Sequence, residues 1–310
     1  MSPGPSSRIF NIPTGVPFAD ALAAGLSARV RVDSGGDPAA LSRMTVLLPN
    51  RRAGRALAEA FLRQAGGHGA MARPIPGGGL LLPRLLPLGE PDEENLAIMD
   101  AGTDTIDIPP PIGDLRRRLL LAQLIHRSPQ ARLGNTGESE GPMPFDQAVR
   151  LAAELARLID QVATERLDFT RIRDLAPADS EYWQLTVRFL DLVQENWPAI
   201  LEQEGAMDPA ARRNLLLERQ VALWRRQPPA GPVIAAGSTG SIPASADLIA
   251  LVAELPRGMV VLPGLDRDAD EAAWEAIRTD QGHPQYGLAQ LMKRLEIGRA
   301  SCRERVSKQV

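Results

Sequence analysis

Three short apolar runs constrain this chain more than any other feature. "MTVLLP" covers residues 44–49, "GPVIAAGS" 231–238 and "GMVVLPGLD" 258–266. None of them alternates apolar with polar residues. A strand with one wet face alternates, whereas an unbroken run suits a strand covered on both faces, as in a parallel sheet between helices. "RIFNI" at 8–12 is a fourth candidate strand. Helical segments follow these runs. Pro17 sits near a first helical turn, where its missing N–H does no harm. "RRAGRALAEAFLRQ" (51–64) is stopped by Gly66-Gly67, and "IPASADLIALVAEL" (242–255) has Pro243 near its start. The expected class is α/β.

The middle of the chain reads differently. In "QAVRLAAELARLIDQV", Ala148, Leu151, Ala152, Leu155, Leu158, Ile159 and Val162 recur at helical spacing and are expected in a core. Leu190, Val193, Trp197 and Ile200 mark a second helix. A third opens at Asp208 as N-cap with Pro209 behind it, and runs through Leu215, Leu216 and Trp224. Residues 66–79 and 128–144 read as loops, and "GLLLPRLLPLGEPDEENL" carries too many prolines for one regular element. The expected division is therefore an α/β part over 8–112, a helical insertion over 113–227 and a return to α/β over 228–296, with a tail at 297–310.

Composition narrows the function. No apolar run approaches the ~18 residues of a membrane span, and "MSPGPSSR" lacks the features of a secretory signal. A soluble, cytoplasmic protein is expected. The one cysteine, Cys302, cannot build a disulfide or a cysteine cluster within the chain. His68, His126 and His283 lie far apart in sequence and are expected to make ordinary hydrogen bonds rather than bind metal. Of 35 basic residues only Lys293 and Lys308 are lysines, a skew that a GC-rich genome produces and that also suits phosphate contacts. The net charge of −3 argues against an overall basic coat, so any nucleic acid would be met by local patches.

The turn after the first strand raises the question of nucleotide chemistry. It reads Thr14, Gly15, Val16, Pro17, Phe18, Ala19. A working phosphate loop needs a lysine for the phosphates and a hydroxyl for magnesium. Neither a lysine nor an adjacent Ser/Thr follows Gly15; Phe18 and Ala19 cannot bind metal, and Pro17 removes a donor. The acidic pair that would end a later strand is also missing, since "PVIAAGSTG" places Ala235, Ala236 and Gly237 there. Asp266 and Asp268 end the next strand and suit a cap or a solvated loop. Ser238 lies outside any nucleophile elbow. Its Gly/Ser/Thr loop is either an anion-binding surface or a plain turn. Asn50, Arg51, Arg52 and Arg55 cluster where a helix begins. Arginine is unfavourable against that end of the helix dipole, which points either to an anionic partner such as a nucleic-acid backbone or to a solvated basic face.

Several segments taken in order carry a resemblance. They are "NIPTGVPFADALAAGL", "VLLPNRRAGRALAEAFL", "LLLPRLLPLGEPDEENL", "MDPAARRNLLLERQVALW", "PVIAAGSTGSIPASADLIALVAELPRGMVVLPGLD" and "HPQYGLAQLMKRL". Over residues 8–296 the chain resembles the N-terminal part of AddB, the second subunit of the AddAB helicase–nuclease that processes double-strand breaks. The resemblance implies a helicase-like sheet domain of the P-loop NTPase type, interrupted by a helical insertion, with degenerate Walker motifs. It puts Thr14 to Pro17 at the place of the nucleotide loop and Asn50, Arg51, Arg52 and Arg55 at a strand-contacting motif. It implies an AddA-type partner and DNA, and no membrane. This part is expected to need no cofactor and to lack catalytic residues, while the parent complex is an ATP-dependent helicase and exonuclease. Two other readings stay open: a nucleotide-dependent enzyme with an irregular phosphate loop, and a protein-interaction scaffold that never meets DNA.

After Glu296 the text "IGRASCRERVSKQV" departs from that resemblance. It holds Cys302 and Lys308 and carries a basic surplus. Foreign sequence is the expectation, with a divergent native tail as the alternative.

Overall fold

The computed structural model describes residues 8–34, 37, 39–66, 81–89, 108–128, 143–167, 181–296 and 303–304. His68, Cys302, most of the expected loops at 66–79 and 128–144, and nearly all of the tail lie outside them. The chain divides into two compact units, residues 1–101 with 217–310, and residues 102–216.

The first unit is built on a parallel sheet, so the structure is α/β. Its strands are β1 (Ile9–Ile12), β2 (Thr45–Leu48), β3 (Arg84–Pro87), β4 (Val233–Ala236) and β5 (Gly258–Pro263), in the spatial order β3-β2-β4-β5-β1. A two-residue strand, β6 (Arg303–Glu304), pairs with Phe10 and Asn11 on the outer side of β1. All pairings are parallel, with Ile9 opposite Val260, Thr45 opposite Val233 and Val233 opposite Gly258.

The unbroken apolar runs are explained by the two cores. Alternate residues point to opposite faces, and both faces are covered. Phe10, Ile12, Val46, Leu48, Ile234, Ala236 and Val261 pack on one side with helices α1 (Phe18–Ser34) and α2 (Arg51–Gly66). Ile9, Leu47, Val233, Ala235, Val260 and Leu262 pack on the other. There they meet α7 (Pro243–Glu254), α8 (Glu271–Thr279), α9 (Tyr286–Arg294) and the later part of α6 (Pro209–Arg226). The chain moves from β1 towards β3 through α1 and α2, then returns through β4 and β5 with helices on the opposite face. A constant crossover hand demands that change of face when the direction reverses.

Two expectations need correction. The proline-rich stretch after residue 79 contains a regular element, β3. It pairs with β2 alone among the described strands, and an edge position tolerates the flanking prolines because one row of its N–H groups has no ladder partner to lose. Leu151, expected in the core, is 36% exposed, because its position on the helix falls beside the packed stripe rather than in it.

The second unit is helical. It contains α3 (Asp114–Arg127), α4 (Phe145–Thr164) and α5 (Glu181–Glu204), with the first turns of α6. Its core joins Leu121 and Ile125 of α3, Ala148, Ala152, Leu155 and Ile159 of α4, and Leu190, Val193 and Trp197 of α5. The backbone pairs once as a sheet would, with Ile112 N–H donating to Met207 O at 2.9 Å and Met207 N–H to Pro110 O at 2.9 Å.

Candidate nucleic-acid interface

The carboxyl ends of the five strands carry the connections that a doubly wound sheet uses for ligands. Adjacent strands β2 and β4 send their chains in opposite directions, β2 through α2 towards β3 and β4 through α7 towards β5. The crevice outside such a pair is where ligands of open α/β sheets bind.

The β2 side of that crevice is basic. Asn50 follows the strand, and its Oδ1 accepts a hydrogen bond from Ala53 N–H at 2.9 Å. Asn50 is thus an N-cap for α2, which satisfies one of the unpaired donors of the first turn. Its side-chain oxygen is committed to the helix. Arg51, Arg52 and Arg55 are all exposed. Arg51 and Arg55 share one face of α2 at i and i+4, and Arg52 lies about 100° round from Arg51.

The turn after β1 is exposed from Thr14 to Pro17. Gly15 has φ of +86°, and nothing lies within 4 Å of where its Cβ would stand, so glycine serves the backbone conformation rather than a close approach. The neighbours of this turn are spent on packing. The Thr14 methyl would lie 2.8 Å from a Cβ on Gly264, and Gly264 N–H donates to Ile12 O at 2.8 Å. The Phe18 ring lies against Gly237 at the end of β4, with its Cε1 at 3.0 Å from where a Cβ would be. An aromatic side chain therefore fills the ground between the β1 turn and the end of β4.

Asn11 fixes this arrangement. It is 1% exposed, in a strand otherwise made of apolar residues. Its Nδ2 donates to Leu265 O at 3.0 Å, and its Oδ1 accepts from Leu265 N–H at 2.8 Å. One side chain thus pins the turn after β5 to the strand beside it. Gln285 adds to the hold by donating to Gly264 O at 2.9 Å. Asn11 was not singled out in the sequence, although a lone amide inside an apolar strand signals a buried hydrogen-bonding duty.

The Gly/Ser/Thr loop after β4 turns some of its donors inward. Gly237 N–H donates to Val261 O at 3.0 Å and Gly240 N–H to Ser238 Oγ at 3.2 Å, so two of its donors are committed. Gly240 presses on α9, with Leu291 Cδ1 at 2.9 Å from a would-be Cβ. The acidic residues after β5 are also local. Asp266 Oδ1 accepts from Asp268 N–H (2.9 Å) and Ala269 N–H (3.0 Å), while Asp270 caps α8 through Ala273 N–H at 2.7 Å. Asp268 is exposed. His126 Nδ1 bonds Met143 O at 2.7 Å, and His283 Nδ1 accepts from Gln285 N–H at 3.1 Å. Among the described residues no group of histidine, cysteine and acidic side chains could hold a metal ion, and no described helix is long and apolar enough to cross a membrane.

The strongest electrostatic cluster lies in the helical unit, away from these loops in sequence. Arg117, 4% exposed, gives two 2.9 Å hydrogen bonds to Asp160, and its Nε stands 2.7 Å from Asp208 Oδ1. Asp208 Oδ2 accepts from Trp197 Nε1 at 2.8 Å. The side chain expected as an N-cap is thus turned to an indole and a guanidinium. Burial pushes the Asp208 carboxyl above its ordinary range, although the Arg117 charge and the Trp197 hydrogen bond oppose that. Arg117 was hidden in the triplet Arg116-Arg117-Arg118, yet it precedes Leu121 and Ile125 by four and eight residues, on the apolar stripe of α3. That spacing was the available signal.

No known protein-family model matches the chain, and no curated protein is detectably similar to it.

Proposed function

We propose that this chain is the N-terminal, helicase-like region of an AddB-type subunit, with a degenerate nucleotide loop, and that it acts as a structural and strand-guiding element without a working motor. In a complex with an AddA-type helicase–nuclease it would help lead a DNA strand during the resection of broken ends, and the hydrolytic activities would belong to the complex. The reading rests on the ordered segments quoted above. The observation that carries it is at the carboxyl edge of the sheet. Exposed Arg51, Arg52 and Arg55 stand at the opening of α2, while no lysine, serine or threonine follows Gly15 in the β1 turn and Phe18 is packed on Gly237. Such a site favours phosphate contact along a strand over nucleotide hydrolysis.

The test is fluorescence anisotropy of a labelled single-stranded oligonucleotide across a salt series. Three arginine–phosphate contacts predict a slope of log affinity against log salt of about −2. The variant R51A/R52A/R55A is expected to lose at least tenfold in affinity, and unchanged binding would remove the interface. Binding to an AddA-type partner with no oligonucleotide affinity in the unaltered chain would favour the scaffold reading. Magnesium-dependent ATP hydrolysis by the pure chain would favour the nucleotide-dependent enzyme.

A further inference from the structure

The opposite, amino-terminal edge of the same sheet holds a cavity that the strand-guiding role does not use. Its volume is about 580 Å³, within the range of small-molecule sites. Its accessible apolar surface comes from Leu223, on the closing turns of α6, and from Pro228, Pro229 and Pro232 beyond it, while Met44 and Trp224 border it from within the core. Its cations are Arg43, Arg84 and Arg257.

The three arginines are placed by the sheet. Arg84 opens β3, Arg43 lies just before β2 and Arg257 just before β5. The order β3-β2-β4-β5 strings them along one edge, over about 14 Å at three strand spacings. The backbones that carry them are tied together. Arg84 N–H donates to Met44 O at 2.9 Å, Thr45 N–H to Pro232 O at 2.9 Å and Val233 N–H to Arg257 O at 3.2 Å. Gly231 sits so close to the Arg43 carbonyl that a Cβ would stand 2.2 Å from its oxygen, so no larger residue fits at this point of the wall.

The charges are unequal in what they have left to give. Arg43 is held by Asp37. The carboxylate that lines the cavity, Asp33, is answered by Arg29 at 3.1 Å. Arg257 spends one N–H on Ala230 O at 3.1 Å, and a guanidinium has four more. A cavity with leucine and proline side chains on its wall and two arginines with donors to spare matches a ligand that is apolar at one end and anionic at the other. We propose that this cavity binds a small organic anion, its phosphate or carboxylate head between Arg84 and Arg257 and its apolar body against Leu223, Pro228, Pro229 and Pro232.

Isothermal titration of the full chain with phenyl phosphate, inorganic phosphate and phenol tests this. Phenyl phosphate is expected to bind at one site, at least tenfold tighter than either of the others. R84A/R257A should weaken it at least tenfold, and so should Ala230→Trp, which adds bulk at the cavity wall and leaves the arginines in place. R51A/R52A, at the other edge of the sheet, should leave it unchanged. The proposal is overturned by an absence of heat at millimolar phenyl phosphate, by equal affinity for inorganic phosphate, or by variants that bind like the parent. None of these outcomes bears on the oligonucleotide experiment, so the two readings fail separately.

Discussion

Arg117 meets Asp160 through two parallel 2.9 Å hydrogen bonds while being almost wholly withdrawn from water. The same guanidinium is the counter-charge for Asp208. Replacing Arg117 by Met leaves a buried carboxylate without its partner. The expected loss is about 3–5 kcal/mol of unfolding free energy, measured by urea denaturation. The neighbouring pair Arg116–Glu204 has the same bidentate form but lies in water. Arg116→Ala should leave the denaturation midpoint nearly unmoved, because exposed pairs are screened.

Asp208 should make the helical unit less stable as the pH rises. Burial raises its folded-state pKa above the ordinary 3.8, so between that value and the raised one the folded protein holds a proton that the unfolded chain has released. Stability then falls with pH across this window. Asp37 and Glu204 have lowered values from their arginine partners, and their contributions run the other way, lost as the medium becomes more acidic. Asp208→Asn should flatten the decline on the rising side without touching the acid limb. Denaturation midpoints from pH 4 to pH 7 would test this, and an unaltered slope in the variant would contradict it.

Gly237 and Phe18 should behave as a coupled pair. Gly237 has φ of +74° and the Phe18 ring beside it. Gly237→Ala carries both strain and a close contact, with an expected cost of about 1–3 kcal/mol. Phe18→Ala removes the ring and should relieve part of that cost. A double-mutant cycle should therefore show non-additivity of about 0.5 kcal/mol or more; simple additivity would mean that the ring and the turn do not constrain one another.

Asn11→Ala should cost about 3 kcal/mol, because it leaves both the N–H and the carbonyl of Leu265 without the partners they have now. The damage should be local as well as global. Hydrogen exchange of the Leu265 amide is expected to accelerate well beyond the change at Val260, in the middle of β5. Equal acceleration at both sites would mean that Asn11 acts on the whole sheet.

The sheet was largely legible because its strands announce themselves by hydrophobicity on both faces. Val46, Leu47 and Leu48 point alternately into two different cores, and only a doubly covered strand needs that. Helices α1, α2 and α7 followed from turn chemistry. β3 was missed because proline content is a local signal and edge position is a tertiary one. Helices α8 and α9 were not assigned at all, being only nine residues each. The candidate site was legible in its charges and not in its contacts. Arg51, Arg52 and Arg55 stood out by type, and the Asn50 cap is local to its own helix, whereas the Phe18–Gly237 contact depends on strands far apart in sequence. Asn11 and Arg117 share that limitation, since their partners come from elsewhere in the fold.

The partners of β1 are β5 and the short β6, both near the far end of the chain. Asn11 and Leu265 are 254 positions apart. A ribosome adding about 5–20 residues per second needs on the order of ten seconds or more to make that distance. Throughout that interval the first strand, four residues that are all buried in the finished sheet, has no neighbour to pair with. The β2–β3 and β2–β4 ladders can close earlier. β1 is thus made long before it can dock, and a nascent chain of this kind should depend on a holding chaperone until β5 emerges.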